Sequence, residues 1–532
     1  MRTLARLPIL LALPLLAAAC GIGHGYRQIP KDSTFIIGTT DHVTTLDPAG
    51  SYENGSYTLY GQIYPFLLNF PYGDDKPAPD AAERCDFAEP TRFRCVLRPN
   101  QKFANGHALT AKSVKFSFDR ITRINDPNGP QSLLHNLDRV ETPDARTVDF
   151  LLKVPNDQTF AQVLASMPGP ILDERVFPAD RVLSDDEIVA RAPFAGPYTI
   201  ATYRKNDLVL LQARDGYRGI YGRPATSNVV FRYYANAGNL KLDLLERRID
   251  AVYHTLSTTD YDELAHTSGV KLFQGSGGEM RYLVFNKGAQ PGQTDEQKLA
   301  VRKAVAASVD RQALARDVYH GQFEPAWSVV PGGQFGSVPA FRETYGERPD
   351  TTKAEGFLRA AGMPTPVTLR LQYTPEHYGP SSSEEYALVK AQLEATGLFQ
   401  VQLQSTEWTV YNQEYAKGSY PLFQLGWFPD FPDPDNYLTP FFVDENFINN
   451  GFADPVLVQL IQSELGEPDP ARRAAVLARA QREAAQLVSV IPLLTGHQIF
   501  VTTDHVTGQR QAISGPSKLL VGSLRTSGGG AA

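Results

Sequence analysis

The sequence predicts an α/β protein built as two or three lobes with a ligand cleft between them, and three observations carry that prediction. Strand-like and helix-like patterns alternate through much of the chain. At 532 residues and 42% hydrophobic side chains, the chain can bury several cores rather than one. Its first twenty residues read as an export signal, which places the mature protein outside the cytoplasm.

That signal, "MRTLARLPILLALPLLAAAC", sets Arg2 and Arg6 ahead of an apolar run from Leu7 to Leu16 that is too short to span a bilayer. Ala17, Ala18 and Ala19 precede Cys20, a pattern that resembles a bacterial lipoprotein signal, in which cleavage leaves Cys20 as the lipid-bearing first residue. It departs from that pattern at Ala17, where a leucine is usual, with Leu16 one place too early. Residues 1–20 are then the signal and 21–33 a tether, with "SGGGAA" a loose tail. The chain has three cysteines, an odd number in an exported protein. Acylation of Cys20 leaves Cys85 and Cys95, which flank "DFAEPTRFR"; Glu89-Pro90-Thr91 there reads as a turn between short extended arms. A disulfide clamping a hairpin is the expectation.

The elements follow in order. "STFIIGTTDHVTTLDP" opens with a strand-like run ending at Gly38, and "DLVLLQA" and "NVVFRYY" read as strands. "ALTAKSVKFSFDRI" is an amphipathic helix starting near Thr110. In "TDEQKLAVRKAVAASVDRQALARDVYHG", Thr294 and Gln297 have capping-box spacing and Val301, Val305 and Val309 share a face. Asp310 is placed to cap a second helix that stops at Gly321. "SSSEEYALVKAQLEATG" repeats the grammar, with Ser381 and Glu384 at box spacing, Tyr386, Val389 and Leu393 on one face and Gly397 as terminator. "FQVQLQSTEW" alternates as a strand. Asp454-Pro455 and Asp469-Pro470 each start a helix, a capping acid before Pro at the first helical position. "LVSVIPLL" closes the series as an apolar strand.

Composition narrows the function. A formal net charge of -7 leaves no basic field for nucleic acid, and the pairs Arg247-Arg248 and Arg472-Arg473 read as solvated helix faces. No G-x-S-x-G, H-E-x-x-H or phosphate-cradling glycine loop is present, and the ten histidines are scattered without ligand spacing, so neither a metal nor a cofactor is expected. The unusual stretch is "LGWFPDFPDPDNYLTPFF", residues 425–442, which interleaves Asp430, Asp433 and Asp435 with four prolines and six aromatics. Paired acids suit general acid/base work on a glycoside, but nothing else in the chain supports a hydrolase. Asp433-Pro434-Asp435 lacks the glycine and downstream glutamate of a calcium loop. The prolines fix φ and disfavour helix, which predicts a rigid, extended loop. Its aromatics predict a wall against a core or a ligand.

The landmarks "LDPA" (46–49), "LRPNQKFANGHALTAKSVKFSFDRI" (97–121), "AGPYTI" (195–200), "LLERRIDAV" (244–252), "MRYLVFN" (280–286), "VRKAVAASVDRQAL" (301–314) and "GWFPDFPDPDN" (426–436) occur in one succession. That succession resembles the family 5 extracellular solute-binding proteins of bacterial ABC importers, the group of the oligopeptide- and dipeptide-binding proteins. The resemblance covers essentially the whole mature chain. It implies the type II periplasmic-binding architecture in three domains: domain I from 34–60, 190–280 and 495–525, domain II from 61–189, domain III from 281–494, with a hinge at the crossovers near 280 and 495. It implies a monomer, anchored by lipid to the outer face of the cytoplasmic membrane, that binds short peptides and passes them to a permease without chemistry. In peptide-binding members an aspartate three residues after a tryptophan holds the ligand's α-amino group. Trp427-x-x-Asp430 matches that spacing, with Gly426 offering backbone groups. Asp433 to Asn436 then cap and brace the next segment. Trp408 matches a side-chain pocket position, while Tyr52 and Asn54 match a contact strip on domain I. Dipeptide-specific members supply an arginine for the ligand carboxylate from the segment matching "QYTPEHYGPSSSEE"; that segment has none here, and His377 is its only candidate cation. Trp327 reads as core. Relatives on this fold also bind metal chelates, opines and oligosaccharides, so a non-peptide solute is the alternative, and a secreted glycoside hydrolase the remote one.

Overall fold

The computed structural model describes residues 34–254, 256–444, 446–513 and 518–526; the expected signal, Cys20 and the tether at 21–33 lie outside the described residues. A mixed sheet of eleven strands runs through the molecule. Its order is Phe399–Ser405, Val367–Tyr373, Leu422–Trp427, Val270–Phe285, Val490–Thr503, Ala251–Tyr253, Thr34–Thr39, Asn228–Tyr233, Leu208–Ala213 and Tyr198–Arg204, with Phe323–Pro325 added on Val490–Thr503. Parallel pairs occur on both flanks: Thr34–Thr39 with its two neighbours, and Val367–Tyr373 with its two. Parallel strands need helical crossovers that cover both faces, which is why Leu422–Trp427 is buried at every position.

The antiparallel pair Val270–Phe285 and Val490–Thr503, 16 and 14 residues long, joins the flanks. One end packs in a core with Tyr282, Val301, Leu371 and Trp427, the other near Phe35, Tyr253 and Phe500. The pairing slips between Gln274 and Gly277 and again between Gly277 and Glu279, next to the expected crossover. Gly278 has φ +123° and a Cβ there would lie 2.4 Å from the Tyr437 hydroxyl, so only glycine fits.

A second, four-stranded sheet of Ala82–Glu89, Arg92–Leu97, Thr147–Leu152 and Leu137–Glu141 packs on the helix Ala111–Ile124. Cys85 and Cys95 face each other in its first hairpin and form the expected disulfide, with Cα atoms 4.1 Å apart. Asp47 of "LDPA" ties this sheet's helix to the main body. Arg120 Nη1 and Nη2 each donate to its carboxylate at 2.6 Å, Leu183 N–H does so at the same distance, and both side chains are fully buried.

Several local expectations change. The first strand continues through Gly38 to Thr39, because both stay in register with Arg232 and Tyr233 of the parallel neighbour. Thr294 caps Gln297 N–H, but the Gln297 side chain accepts from Gln293 N–H rather than closing the box. Ser381 is already helical in φ and ψ and makes no side-chain cap, so Ser382–Ala395 starts without a box. The proline-rich stretch is not extended throughout: Pro434–Tyr437 is a 3-10 turn and Thr439–Phe442 a short helix, because Pro434 and Pro440 occupy first-turn positions where a missing N–H costs nothing. Arg473 is buried, not a solvated face: Asp433 and Glu464 draw it inward. Trp327 is half-buried, with the Arg311 guanidinium 5.6 Å from its ring.

Candidate functional site

The stretch 425–442 begins as the strand Leu422–Trp427, in which Gly426 pairs with Arg281 and Trp427 with Met280. The strand ends at the prolines, and the chain turns so that Asn436 reaches back. Its Oδ1 accepts from Asp430 N–H at 2.8 Å and from Trp427 Nε1 at 3.3 Å, and its Nδ2 donates to Asp430 Oδ2 at 3.1 Å. One amide thus fixes both the tryptophan and the carboxylate. Asn436 is itself held by the turn that Asp433 starts, in which Asp433 Oδ1 accepts from Asp435 N–H at 3.0 Å.

The acids divide their labour. Asp433 receives Arg473 through Nη1 and Nη2 at 2.9 and 2.7 Å, and Asp435 accepts from the Thr439 hydroxyl. Both are spent on structure. Asp430, 3% exposed, bonds across the molecule: the Tyr52 hydroxyl donates to its Oδ2 at 2.6 Å from a residue 378 positions away. The Tyr52 ring packs edge-on against Trp427 at 6.0 Å and Phe447 at 5.1 Å. Asn54 opens the helix Asn54–Ile63 behind Glu53, whose carboxylate caps it.

Burial pushes the Asp430 carboxyl up to about 6, against the downward pull of the Tyr52 and Asn436 hydrogen bonds. Burial first, and the Asp430 charge second, push the Tyr52 phenol well above its usual range. Two neutral donors, the Tyr52 hydroxyl and the Asn436 amide, hold this buried carboxyl without a cationic partner among their hydrogen bonds.

Gly426 faces the Tyr378 ring, which lies 2.3 Å from where a Cβ would stand. Beyond it, the His377 imidazole lies flat on Trp408, ring centroids 3.4 Å apart and 2° from parallel. Burial drives His377 down to about 3, which keeps the ring neutral at physiological pH. A buried cation, Arg281, lies against Tyr378. Its Nη2 donates to the Tyr378 carbonyl at 2.7 Å, and its guanidinium lies 5.8 Å from the Phe428 ring. Sequence reasoning passed over Arg281 although it stands in "MRYLVFN"; a lone arginine inside an apolar strand is a signal, since buried arginines are paired or functional. It also missed His254, which stacks on Phe428 at 5.9 Å and holds φ +61°, a left-handed conformation rare outside glycine.

Residues 76–449 match the model of the bacterial extracellular solute-binding proteins, family 5. The probable D,D-dipeptide-binding periplasmic protein of Escherichia coli is 24% identical over 90% of this chain and 91% of its own length. The oligopeptide-binding protein of Bacillus subtilis is 22% identical over 94% and 95%. Among solved structures, a dipeptide-binding protein from Pseudoalteromonas in complex with Met-Leu superposes with TM-score 0.79 at 19% identity, covering 93% of this chain and all of that one. An Agrobacterium periplasmic binding protein in complex with agropinic acid gives 0.78 at 22%, covering 93% and 98%. These structures share the type II periplasmic-binding fold with this chain.

Proposed function

Since the chain belongs to family 5 of the bacterial extracellular solute-binding proteins, whose relatives here are exported peptide-binding proteins of ABC importers, we propose that it captures short peptides, from dipeptides to oligopeptides, outside the membrane. It is anchored through a lipid on Cys20, closes domains I and III over the ligand as a monomer, and delivers it to a permease. No bond in the ligand is broken. The single observation behind the peptide assignment is Asp430: a buried carboxylate, fixed by Asn436 and walled by Trp427 and Tyr52, is suited to an α-ammonium. Backbone groups along the strand that ends at Gly426 and Trp427 supply sequence-independent affinity, and the Trp408 wall receives a side chain.

Calorimetry with a dipeptide and its N-acetyl derivative tests the reading. Loss of binding on acetylation is the expected result; equal affinity for the two forms overturns it. A second reading, an opine-like or other non-peptide solute, is favoured by the agropinic acid complex, which matches the fold as well as the Met-Leu complex does.

A further inference from the structure

Away from the residues named for the peptide site, a cavity of about 140 Å³ opens where four segments meet: the loop after Val270–Phe285, the first turns of Asp295–Ser308, the start of Pro455–Leu465 and the end of Pro470–Leu487. It has room for about four or five waters or one small ion, and not for a peptide. Three cations border it, Lys287, Lys298 and Arg302. Lys298 and Arg302 stand four apart on one helix, so they share a face, where like charges repel.

Arg302 reaches the cavity from inside, with 5% of its surface exposed. Its Nε donates to the Leu487 carbonyl at 3.0 Å, its Nη1 donates to Gln290 Oε1 at 2.9 Å, and the guanidinium lies 4.8 Å from the Phe452 ring centre. All of these partners are neutral. Burial pushes the guanidinium down to about 10, against the upward pull of Tyr345 and Asp295, so it stays charged at neutral pH. Other buried arginines meet a carboxylate: Arg120 with Asp47, Arg281 with Glu279, Arg473 with Asp433. Arg311 meets none among the described residues, but the rings of Trp327 and Phe341 cover it at 5.6 and 6.0 Å. Arg302 faces open space instead. A buried charge met only by dipoles is costly, and a counter-ion offsets that cost.

Two acids line the same cavity, and neither supplies the counter-ion. Asp454 caps its helix, accepting from Val456 and Leu457 N–H at 2.9 Å each. Asp295 is exposed in the first turn of its helix and, like the three cations, makes no ion pair among the described residues. Three positive charges against two negative leave an excess of one.

We infer that this cavity binds one small, singly charged oxyanion of the carboxylate kind, with Arg302 as its principal donor and Lys287 and Lys298 at the rim. The ion ties the four segments together at a point where no side-chain carboxylate among the described residues does so.

Equilibrium dialysis of the full chain against radiolabelled acetate, at an ionic strength held with sodium chloride, tests this. One saturable acetate per chain is expected. Lys298→Gln weakens it about threefold, and Asp295→Asn, which removes an opposing charge, tightens it about threefold. Neither of these side chains is buried, so both variants fold. Arg302→Gln removes the site. Asp430→Asn leaves acetate binding unchanged, because the cavity is separate from the peptide site. Absence of a saturable site, affinities that fail to move in opposite directions in the two rim variants, or loss of acetate in Asp430→Asn overturns the inference.

Discussion

Replacing Asp430 by Asn separates a binding role from a structural one, because the two roles predict opposite changes in stability. The amide oxygen of Asn can accept from Tyr52 and Asn436 as Oδ2 does now, at 2.6 and 3.1 Å, so the packing survives while the charge goes. Burial raises this carboxyl from 3.8 to about 6. The native state therefore binds the proton more tightly than the unfolded chain. The stability this provides is fully present below about pH 4 and is lost as pH rises through 6. A shift of that size corresponds to about 3 kcal/mol of destabilisation at pH 8. Asn never ionises, so the ligand-free variant gains up to that amount at pH 8 and nothing at pH 4. For a chain of this length the gain is about 3 °C in melting temperature. Binding moves the other way: a ligand ammonium left buried and unpaired costs roughly 3–5 kcal/mol, two to four decades of affinity. Thermal melts at the two pH values, with calorimetry on a dipeptide, read both. A variant that melts lower at pH 8 and still binds like the parent refutes the reasoning.

Other perturbations probe the frame. Arg120→Ala strands the buried Asp47 carboxylate and is expected to cost about 3–5 kcal/mol in urea unfolding. Reducing the Cys85–Cys95 bond, which closes a loop of 10 residues, releases about 3 kcal/mol of stabilisation in the chain-entropy account, seen as a lower melt in dithiothreitol. Gly426→Ala sets a Cβ 2.3 Å from the Tyr378 ring, and displacing that ring is expected to cost about 1–3 kcal/mol and to weaken ligand binding. The His377 imidazole, held at about 3, gives ring-proton NMR shifts that stay constant from pH 5 to 8; a titration in that window contradicts its burial against Trp408.

Much of the frame was legible in the sequence, for physical reasons. Asp454-Pro455 and Asp469-Pro470 marked two helix starts because cap and first-turn chemistry is local. The cysteine hairpin was legible because turn and spacing are local too. Ser381 failed as a cap because tertiary packing already held it helical, which no spacing rule senses. In the candidate site, Trp427 and Asp430 were visible through their spacing. Asn436 was seen only as a brace, and its three bonds to the pair depend on a turn that brings position 436 back to 427 and 430. The Tyr52 contact spans 378 residues and the Phe428 surroundings draw on Asp41, His254 and Arg281. Such long-range placement has no periodicity to read. Arg473 shows the same limit, since a basic pair on a helix says nothing of the acids that Asp433 and Glu464 present from elsewhere.

The most direct test of the central claim is native mass spectrometry of the protein purified from a bacterial host, followed by denaturation and identification of the released molecule. A mixture of short peptides with free α-amines is the predicted result, and its length range would be read in the same spectrum. A single non-peptide species bound in the cleft would contradict the peptide assignment.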